Sequence, residues 1–258
     1  MDDKIRKYTF GGVRIYVVNI KKTAEDTRFA HDLDEDMTNH TAIAEVIAAC
    51  LCANRKEDNA STALSLKYPE KETAYTAIAE NDGKVRGYAE PYTPGIIKQG
   101  VIVEVTQRLT IRGDYKSVVA ANDLQGAIDE YFKRSQQSQS FCTAKKFSDC
   151  FACVLMEQFP ITKPEDEIYR NAAEIEWEYL SEIFSLDKFE DAKKYLSKYN
   201  LLETVDIKYG CTCSRRKVKE TLYSIPKEEL AGSIDEDGMI EVKCKFCGKT
   251  YKIDPETL

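Results

Sequence analysis

The first 160 residues contain short segments in which apolar and polar residues alternate. This period of two predicts β-strands at 13–20, 62–68, 73–80 and 84–90. Asn81-Asp82-Gly83 is a hairpin signal between the last two of these segments. A further strand pair is predicted at 141–147 and 150–159. The pattern therefore predicts a sheet-rich region with tight antiparallel connections.

Two segments of the same region have a helical pattern. Residues 41–52 are strongly apolar and predict a buried helix, with Thr38 or Asn39 as its N-cap. A second helix is predicted to begin at residue 122 or 123. Its expected buried residues are Leu124, Ile128 and Tyr131 or Phe132. Residues 1–160 are thus predicted to form an α+β platform domain.

Residues 161–207 are predicted to form a charged helical linker. Residues 161–206 contain 12 acidic and 6 basic side chains. Apolar residues recur at helical spacing and give a broad apolar face, which comprises Ile168, Ile175, Trp177, Tyr179, Leu180, Ile183 and Phe184. A second linker helix is predicted from Asp187, burying Phe189, Ala192, Leu196 and Tyr199. Such a helical pair has no core of its own and must pack on a neighbouring element to be stable.

Composition and charge narrow the functional class. The net charge of −7 argues against nucleic-acid binding, which requires a basic surface. No apolar stretch is long enough to span a bilayer, and the N-terminus does not resemble a signal peptide. We therefore expect a cytoplasmic protein without membrane contact, in which thiols stay reduced and clustered cysteines favour metal binding.

Four cysteines near the C-terminus have metal-ligand spacing. They form the pairs Cys211-x-Cys213 and Cys244-x-x-Cys247, within a predicted module at 208–258. Two close pairs can deliver four thiolates to one tetrahedral Zn²⁺ ion per chain. The surrounding basic residues are expected to keep the thiolates ionised; they are Arg215, Arg216, Lys243, Lys245 and Lys249. These residues leave two interpretations open, a static zinc ribbon and a redox switch that loses its metal on oxidation.

The remaining cysteines and the two histidines give no second site. Core packing is the preferred interpretation of the five other cysteines, which are Cys50, Cys52, Cys142, Cys150 and Cys153. His31 and His40 are interpreted as surface or capping residues. No Ser-His-Asp set, phosphate-binding glycine loop or paired-carboxylate motif is evident, so the sequence does not indicate an enzyme.

The C-terminal module resembles the zinc domain of the redox-regulated heat-shock chaperone family of about 33 kDa. The resemblance rests on 209–215, on Glu228-Glu229-Leu230 and on 237–251. Two stretches of the platform agree with it, 82–88 and Tyr131-Phe132 followed by Ser135-Gln136-Gln137. It is specific in the last fifty residues and patchy before them.

This resemblance implies a function for each part of the chain. Cys211, Cys213, Cys244 and Cys247 would hold zinc in the reduced, inactive protein. Oxidation would form the disulfides Cys211–Cys213 and Cys244–Cys247 and release the zinc. The linker would then unfold and expose apolar surface that holds unfolding client proteins without ATP. The resemblance also allows for a homodimer of the oxidised form.

Two other function classes compete with this interpretation. A static zinc ribbon could serve a nucleic-acid-binding or regulatory protein, supported only by the basic run at 214–219. A thiol–disulfide oxidoreductase would need an exposed Cys-x-x-Cys of low pKa at a helix N-terminus, and neither such pair is well placed for that.

Overall fold

The chain forms two units in a computed structural model, Met1–Tyr209 and Gly210–Leu258. The structure describes residues 2–55, 60–109, 113–135 and 139–258. Gln136 and Gln137, which contribute to the resemblance, lie outside these ranges.

The first unit contains two β-sheets. In chain order its described strands are β1 (Lys4–Phe10), β2 (Val13–Ile20), β3 (Ser61–Tyr68), β4 (Thr73–Glu80), β5 (Lys84–Pro91), β6 (Val101–Leu109), β7 (Gly113–Ala121), β8 (Ser140–Lys146), β9 (Phe151–Gln158), β10 (Asn200–Asp206) and β11 (Lys208–Tyr209). The first sheet has the order β10-β1-β2-β9-β8, and the second has the order β11-β5-β4-β3-β6-β7. Neighbouring strands are antiparallel, apart from the parallel pair β11 and β5. The predicted strands and the hairpin at Asn81-Asp82-Gly83 are confirmed.

Helices fill the space around these sheets. The α-helices of the first unit are α1 (Lys22–His31), α2 (Glu35–Ala53), α3 (Leu124–Ser135), α4 (Ala172–Leu180) and α5 (Lys193–Leu196), and its 3₁₀ segments are Pro69–Lys71, Pro164–Tyr169, Ser181–Ser185 and Phe189–Ala192. No helix of the described residues is long and apolar enough to cross a membrane. Helix α2 contacts strands of both sheets, and its second half is buried on all sides. An apolar sequence around the whole helix is typical of such a position.

The start of α2 differs from the prediction. Its N-cap is Asp34, whose carboxylate accepts a hydrogen bond from the Met37 N–H at 2.8 Å. Thr38 and Asn39 therefore lie inside the helix, and the prediction of either as the cap is wrong. The first residues of α2 are exposed and the next turn is half-buried, so neither shows an apolar period. An acidic N-cap followed by two acids stabilises the positive end of the helix.

The first sheet separates two hydrophobic cores. Its inner face packs with α2 and the second sheet, using residues such as Val18 and Leu155. Its outer face presents a second apolar set, which comprises Tyr8, Val13, Ile15, Val17, Ala152, Val154 and Met156. We call this outer face and the residues packed on it the linker core. The linker segments between Ala172 and Tyr199 cover it.

The second helical part of the linker begins later than predicted. Asp149, in the turn between β8 and β9, accepts hydrogen bonds from the Phe189 N–H at 2.8 Å and the Glu190 N–H at 3.1 Å. Asp187 instead accepts a bond from the Ser148 hydroxyl at 2.9 Å, so its prediction as the helix start is wrong. The expected burial is confirmed for Phe189, Ala192, Leu196 and Tyr199.

Strand β10 has no counterpart in the sequence prediction, which treats 161–207 as helical. It pairs with β1 at the edge of the first sheet, and nearly all its side chains are exposed. Because neither face of β10 is buried, its sequence carries no alternation from which a strand could be predicted. The linker residues lie within the first unit, and the three-part domain division stays a prediction.

The second unit is small. Its elements are α6 (Arg215–Tyr223), α7 (Lys227–Ala231), β12 (Ile240–Lys243), β13 (Thr250–Ile253) and a 3₁₀ segment, Pro255–Thr257. Strands β12 and β13 form an antiparallel hairpin. Ser214 is the N-cap of α6, because its hydroxyl accepts a hydrogen bond from the Lys217 N–H at 3.2 Å. The core of the second unit consists mainly of Leu222, Leu230, Ile240, Tyr251 and Ile253. This is a small hydrophobic core for a unit of this size.

Candidate metal centre

Two backbone turns position the four C-terminal cysteines. Cys211 and Cys213 lie in the segment between β11 and α6, and Cys244 and Cys247 lie in the turn that joins β12 to β13. In that turn the Gly248 N–H donates to the Cys244 carbonyl at 2.9 Å. Gly248 has a φ of 68°, a left-handed conformation that glycine adopts without strain. The hairpin thereby brings its two thiols to one side of the turn.

The four sulfur atoms converge on one point. All four lie within 4.8 Å of one another. The Cys211 and Cys244 Sγ atoms are 3.7 Å apart, and the Cys213 and Cys247 Sγ atoms are 3.5 Å apart. Sulfurs bound tetrahedrally at about 2.3 Å from a zinc ion are separated by about 3.8 Å. The arrangement therefore fits a metal ion held by all four cysteines.

A tyrosine hydroxyl also reaches this cluster. The Tyr251 hydroxyl lies 3.0 Å from the Cys213 Sγ atom. Burial acts to raise the pKa of Cys213, but hydrogen bonds from Tyr251 and the neighbouring thiols outweigh it and lower that pKa to about 7. For Cys211 burial is the main influence, and it raises the pKa. Metal binding at this centre must therefore displace protons and depend on pH.

The sequence prediction missed Tyr251. It assigned the stabilisation of the thiolates to the surrounding basic side chains, whereas the leading influences on the Cys213 pKa are burial, the Tyr251 hydroxyl and the other thiols. One of the basic residues, Arg216, pairs with Glu220 at 3.3 Å. The signal that could have found Tyr251 is its place in β13, three residues after the Cys247-Gly248 turn, where a side chain can fold back over the sulfurs.

The predicted apolar face of the linker is divided by the structure. Leu180 and Ile183 are fully buried in the linker core. Trp177 and Phe184 are partly buried there, and the Trp177 ring stacks on Phe141 with 5.5 Å between centroids. By contrast, Ile168 (79%) and Ile175 (65%) are largely exposed, and Tyr179 is 38% exposed. The buried face thus lies to one side of the stripe predicted from the spacing.

The five other cysteines are buried in the first unit, as predicted. Cys150 belongs to the linker core, and Cys153 belongs to the opposite core. The Cys142 and Cys153 sulfurs approach to 3.5 Å. Burial raises the pKa of Cys50, Cys52, Cys150 and Cys153, which keeps these thiols protonated and unreactive.

Comparison with known proteins identifies the family. The family model described as Hsp33 protein matches residues 3–254. The chain belongs to the Hsp33 family. A 33 kDa chaperonin of Clostridioides difficile is 25% identical, with 100% of this chain and 98% of the relative covered. A 33 kDa chaperonin of Shewanella woodyi is 23% identical, with coverages of 98% and 93%.

A solved structure supports the same fold. The crystal structure of the 33 kDa chaperonin from Thermotoga maritima superimposes on this chain with a TM-score of 0.73. The two sequences are 21% identical, and the match covers 99% of this chain and 96% of the other. The α+β fold with a C-terminal four-cysteine cluster is therefore confirmed for this Hsp33-family chain.

Proposed function

We propose that this Hsp33-family chain is an ATP-independent holdase that oxidation of a zinc centre activates. The observation that carries the proposal is the convergence of four cysteine sulfurs within a unit that has a very small core of its own. Structural zinc contributes about 10–16 kcal/mol of apparent folding free energy in comparable small modules. Loss of the metal would therefore unfold this unit.

The metal is one Zn²⁺ ion held by Cys211, Cys213, Cys244 and Cys247. An all-thiolate tetrahedral set favours zinc among the common divalent ions of proteins. When bound, the ion neutralises part of the thiolate charge and joins the two ends of the second unit. The residues themselves supply the redox chemistry, because thiolates are the form of cysteine that peroxide oxidises.

Oxidation removes the ligands in pairs. Two molecules of hydrogen peroxide accept four electrons from four thiolates, two disulfide bonds form, and four protons are taken up as four molecules of water leave. Family resemblance supports the pairing Cys211–Cys213 and Cys244–Cys247. Neither disulfide can ligate zinc as a thiolate does, so the ion is released together with the folding energy that it supplies.

Unfolding of the second unit is communicated through β10 and β11. These strands connect the linker to Gly210, and β10 is an exposed edge strand that pairs only with β1 among the described strands. The unfolded chain is attached to β11, the edge strand of the second sheet, and favours fraying of β11 and then of β10. The linker segments before β10 then lose the attachment that its pairing with β1 gives them on the first sheet.

Release of the linker uncovers the client-binding surface. The outer face of the first sheet then exposes Tyr8, Ile15, Val17, Val154 and Met156, while the linker exposes Leu180 and Ile183. Apolar surface of this extent binds the apolar segments of unfolding proteins without any energy source. The inner core around α2 takes only Ile207 and, at its margin, Val205 from the linker, so most of this core stays in place and keeps the platform folded.

Aggregation of a chemically unfolded client, followed by light scattering, tests the proposal. The reduced, zinc-loaded chain should leave aggregation unchanged, and the peroxide-treated chain should suppress it. Zinc release, measured with a chromogenic chelator, should reach one ion per chain. Equal suppression by both forms would leave a chaperone with a purely structural metal, and suppression by neither would refute the holdase function.

A further inference from the structure

The Tyr251 hydroxyl makes a contact with the metal centre that the proposed switch does not explain. It lies 3.0 Å from Cys213 Sγ. The Tyr251 ring is 6% exposed and belongs to the core of the second unit. The Lys249 ammonium lies 5.3 Å from the ring centroid. The hydroxyl is thus held in place by a packed ring.

We propose that Tyr251 protects Cys213 from oxidation and so sets the peroxide threshold of the switch. The proposal rests on the function proposed above, in which the reduced centre holds zinc. A zinc-bound cysteine is a thiolate and carries no proton. The phenol must therefore be the donor of the 3.0 Å contact, which makes it a hydrogen bond to a charged sulfur.

A hydrogen bond to the sulfur lowers its reactivity toward peroxide. The thiolate attacks one peroxide oxygen with a lone pair, the O–O bond breaks, and hydroxide leaves as a sulfenic acid forms. Cys211 or another nearby thiolate then displaces the sulfenic hydroxyl, and the disulfide forms. In the first step the sulfur loses the charge that the phenol stabilises, so the hydrogen bond stabilises the reactant more than the transition state.

Cys213 is a critical position for such protection. It is the second cysteine of its pair and lies 3.5 Å from the Cys247 sulfur of the other pair. Oxidation at Cys213 would therefore remove a metal ligand from the Cys211–Cys213 pair. Of the two pairs, this one lies nearer to the linker along the chain, just after Tyr209. A slow reaction at this sulfur lets the centre tolerate low peroxide and respond only when peroxide is sustained.

The decisive variant is Tyr251→Phe, which removes the hydroxyl and keeps the ring. The matched control is Tyr223→Phe, because Tyr223 lies in the same unit, is 61% exposed, and donates to the Thr257 carbonyl at 2.9 Å. Both variants are prepared as full-length, zinc-loaded protein. Zinc content and circular dichroism establish that each is folded before any reaction.

Site-resolved labelling gives the readout. Zinc-loaded protein is treated with a maleimide for increasing times, and mass spectrometry of peptides gives a rate for each of the four cysteines. In Tyr251→Phe we expect the Cys213 rate to rise about tenfold relative to the Cys211 rate, since a charge-assisted hydrogen bond is lost. Peroxide-driven zinc release should accelerate in the same variant, and Tyr223→Phe should match the natural chain in both measurements.

The labelling rates distinguish a specific effect of Tyr251 on Cys213 from a general effect of Tyr251 on the stability of the second unit. An equal acceleration at all four cysteines would mean that Tyr251 only stabilises the unit and would overturn the proposal, as would an unchanged Cys213 rate. Cobalt substitution gives an independent signature, because loss of the hydrogen bond should move the thiolate-to-metal charge-transfer band to longer wavelength. If the oxidised natural chain fails to suppress aggregation, the holdase function falls while the labelling ratio still decides the role of Tyr251.

Discussion

Truncation of Leu180 to alanine should open the linker of the reduced protein. Leu180 ends α4 and is fully buried in the linker core. Leucine-to-alanine substitutions at such sites cost about 2–5 kcal/mol. A released linker has already exposed this side chain, so the cost falls on the docked state alone. The equilibrium between docked and released linker should therefore shift toward release by at least about 30-fold.

Trp177 reports on the position of the linker. It is the single tryptophan of the chain, and its ring stacks on Phe141 when the linker is docked. In the reduced, zinc-loaded Leu180→Ala variant we expect its emission to move to longer wavelength and client aggregation to be partly suppressed. Zinc content measured on the same sample shows whether the second unit is intact.

A control on the same helix distinguishes linker docking from a general loss of helix stability. Ile175 is 65% exposed, so Ile175→Ala should change neither the emission nor the activity. Ile183→Val is a milder change at a second buried position and should give a smaller effect in the same direction, with a cost of about 0.5–1.5 kcal/mol. A red-shifted Leu180→Ala variant that leaves aggregation unchanged would refute the link between linker release and client binding.

Three further predictions concern the platform. Burial raises the pKa of Glu45 from 4.5 to about 8, so the folded protein retains a proton that the unfolded chain has lost. The contribution of Glu45 to stability should be fully present below about pH 4.5 and should fall by about 3–5 kcal/mol between about pH 4.5 and about pH 8. Glu45→Gln should flatten this profile in denaturant titrations, and an unchanged slope in that variant would assign the effect to other groups. A side chain at Gly83 would collide with the Asp206 carbonyl, whereas Gly113 has a similar positive φ and open space around it. Gly83→Ala should therefore lower the unfolding free energy by at least about 1 kcal/mol more than Gly113→Ala, and equal losses would contradict the steric explanation. Of the nine cysteines, peroxide should oxidise only the four of the metal centre, which removes the mass of about four hydrogen atoms and leaves the five platform thiols free. A loss of about six hydrogen atoms would show that Cys142 and Cys153 also pair.

The sequence predicts best those elements whose burial follows a local period. Strands β3 and β4 and the hairpin before β5 are predictable because alternation and turn chemistry are both local. The four cysteines are predictable as a ligand set because their spacing is itself the chemical requirement. In each case, neighbouring residues along the chain contain the information that the structure uses.

Contacts between distant segments account for what the sequence does not reveal. Asp149 caps a linker segment some forty residues away, so the nearby Asp187 is a natural but wrong choice. Strand β10 exists through its pairing with β1 and leaves no burial pattern. The hydrogen bond from Tyr251 depends on how the hairpin folds back over the sulfurs, which no spacing rule specifies.

The two cores on opposite faces of one sheet give neighbouring residues opposite genetic properties. Val17 faces the linker core and Val18 faces the core around α2. A destabilising substitution at Val18 should lower the amount of folded protein in the cell, because it weakens the core around α2 that holds the platform together. A destabilising substitution at Val17 weakens only the packing of the linker on the sheet, which oxidation is proposed to release. It should therefore yield an overactive allele that binds clients in unstressed cells. Loss-of-function and gain-of-function alleles should therefore alternate along β2 with the period of the strand.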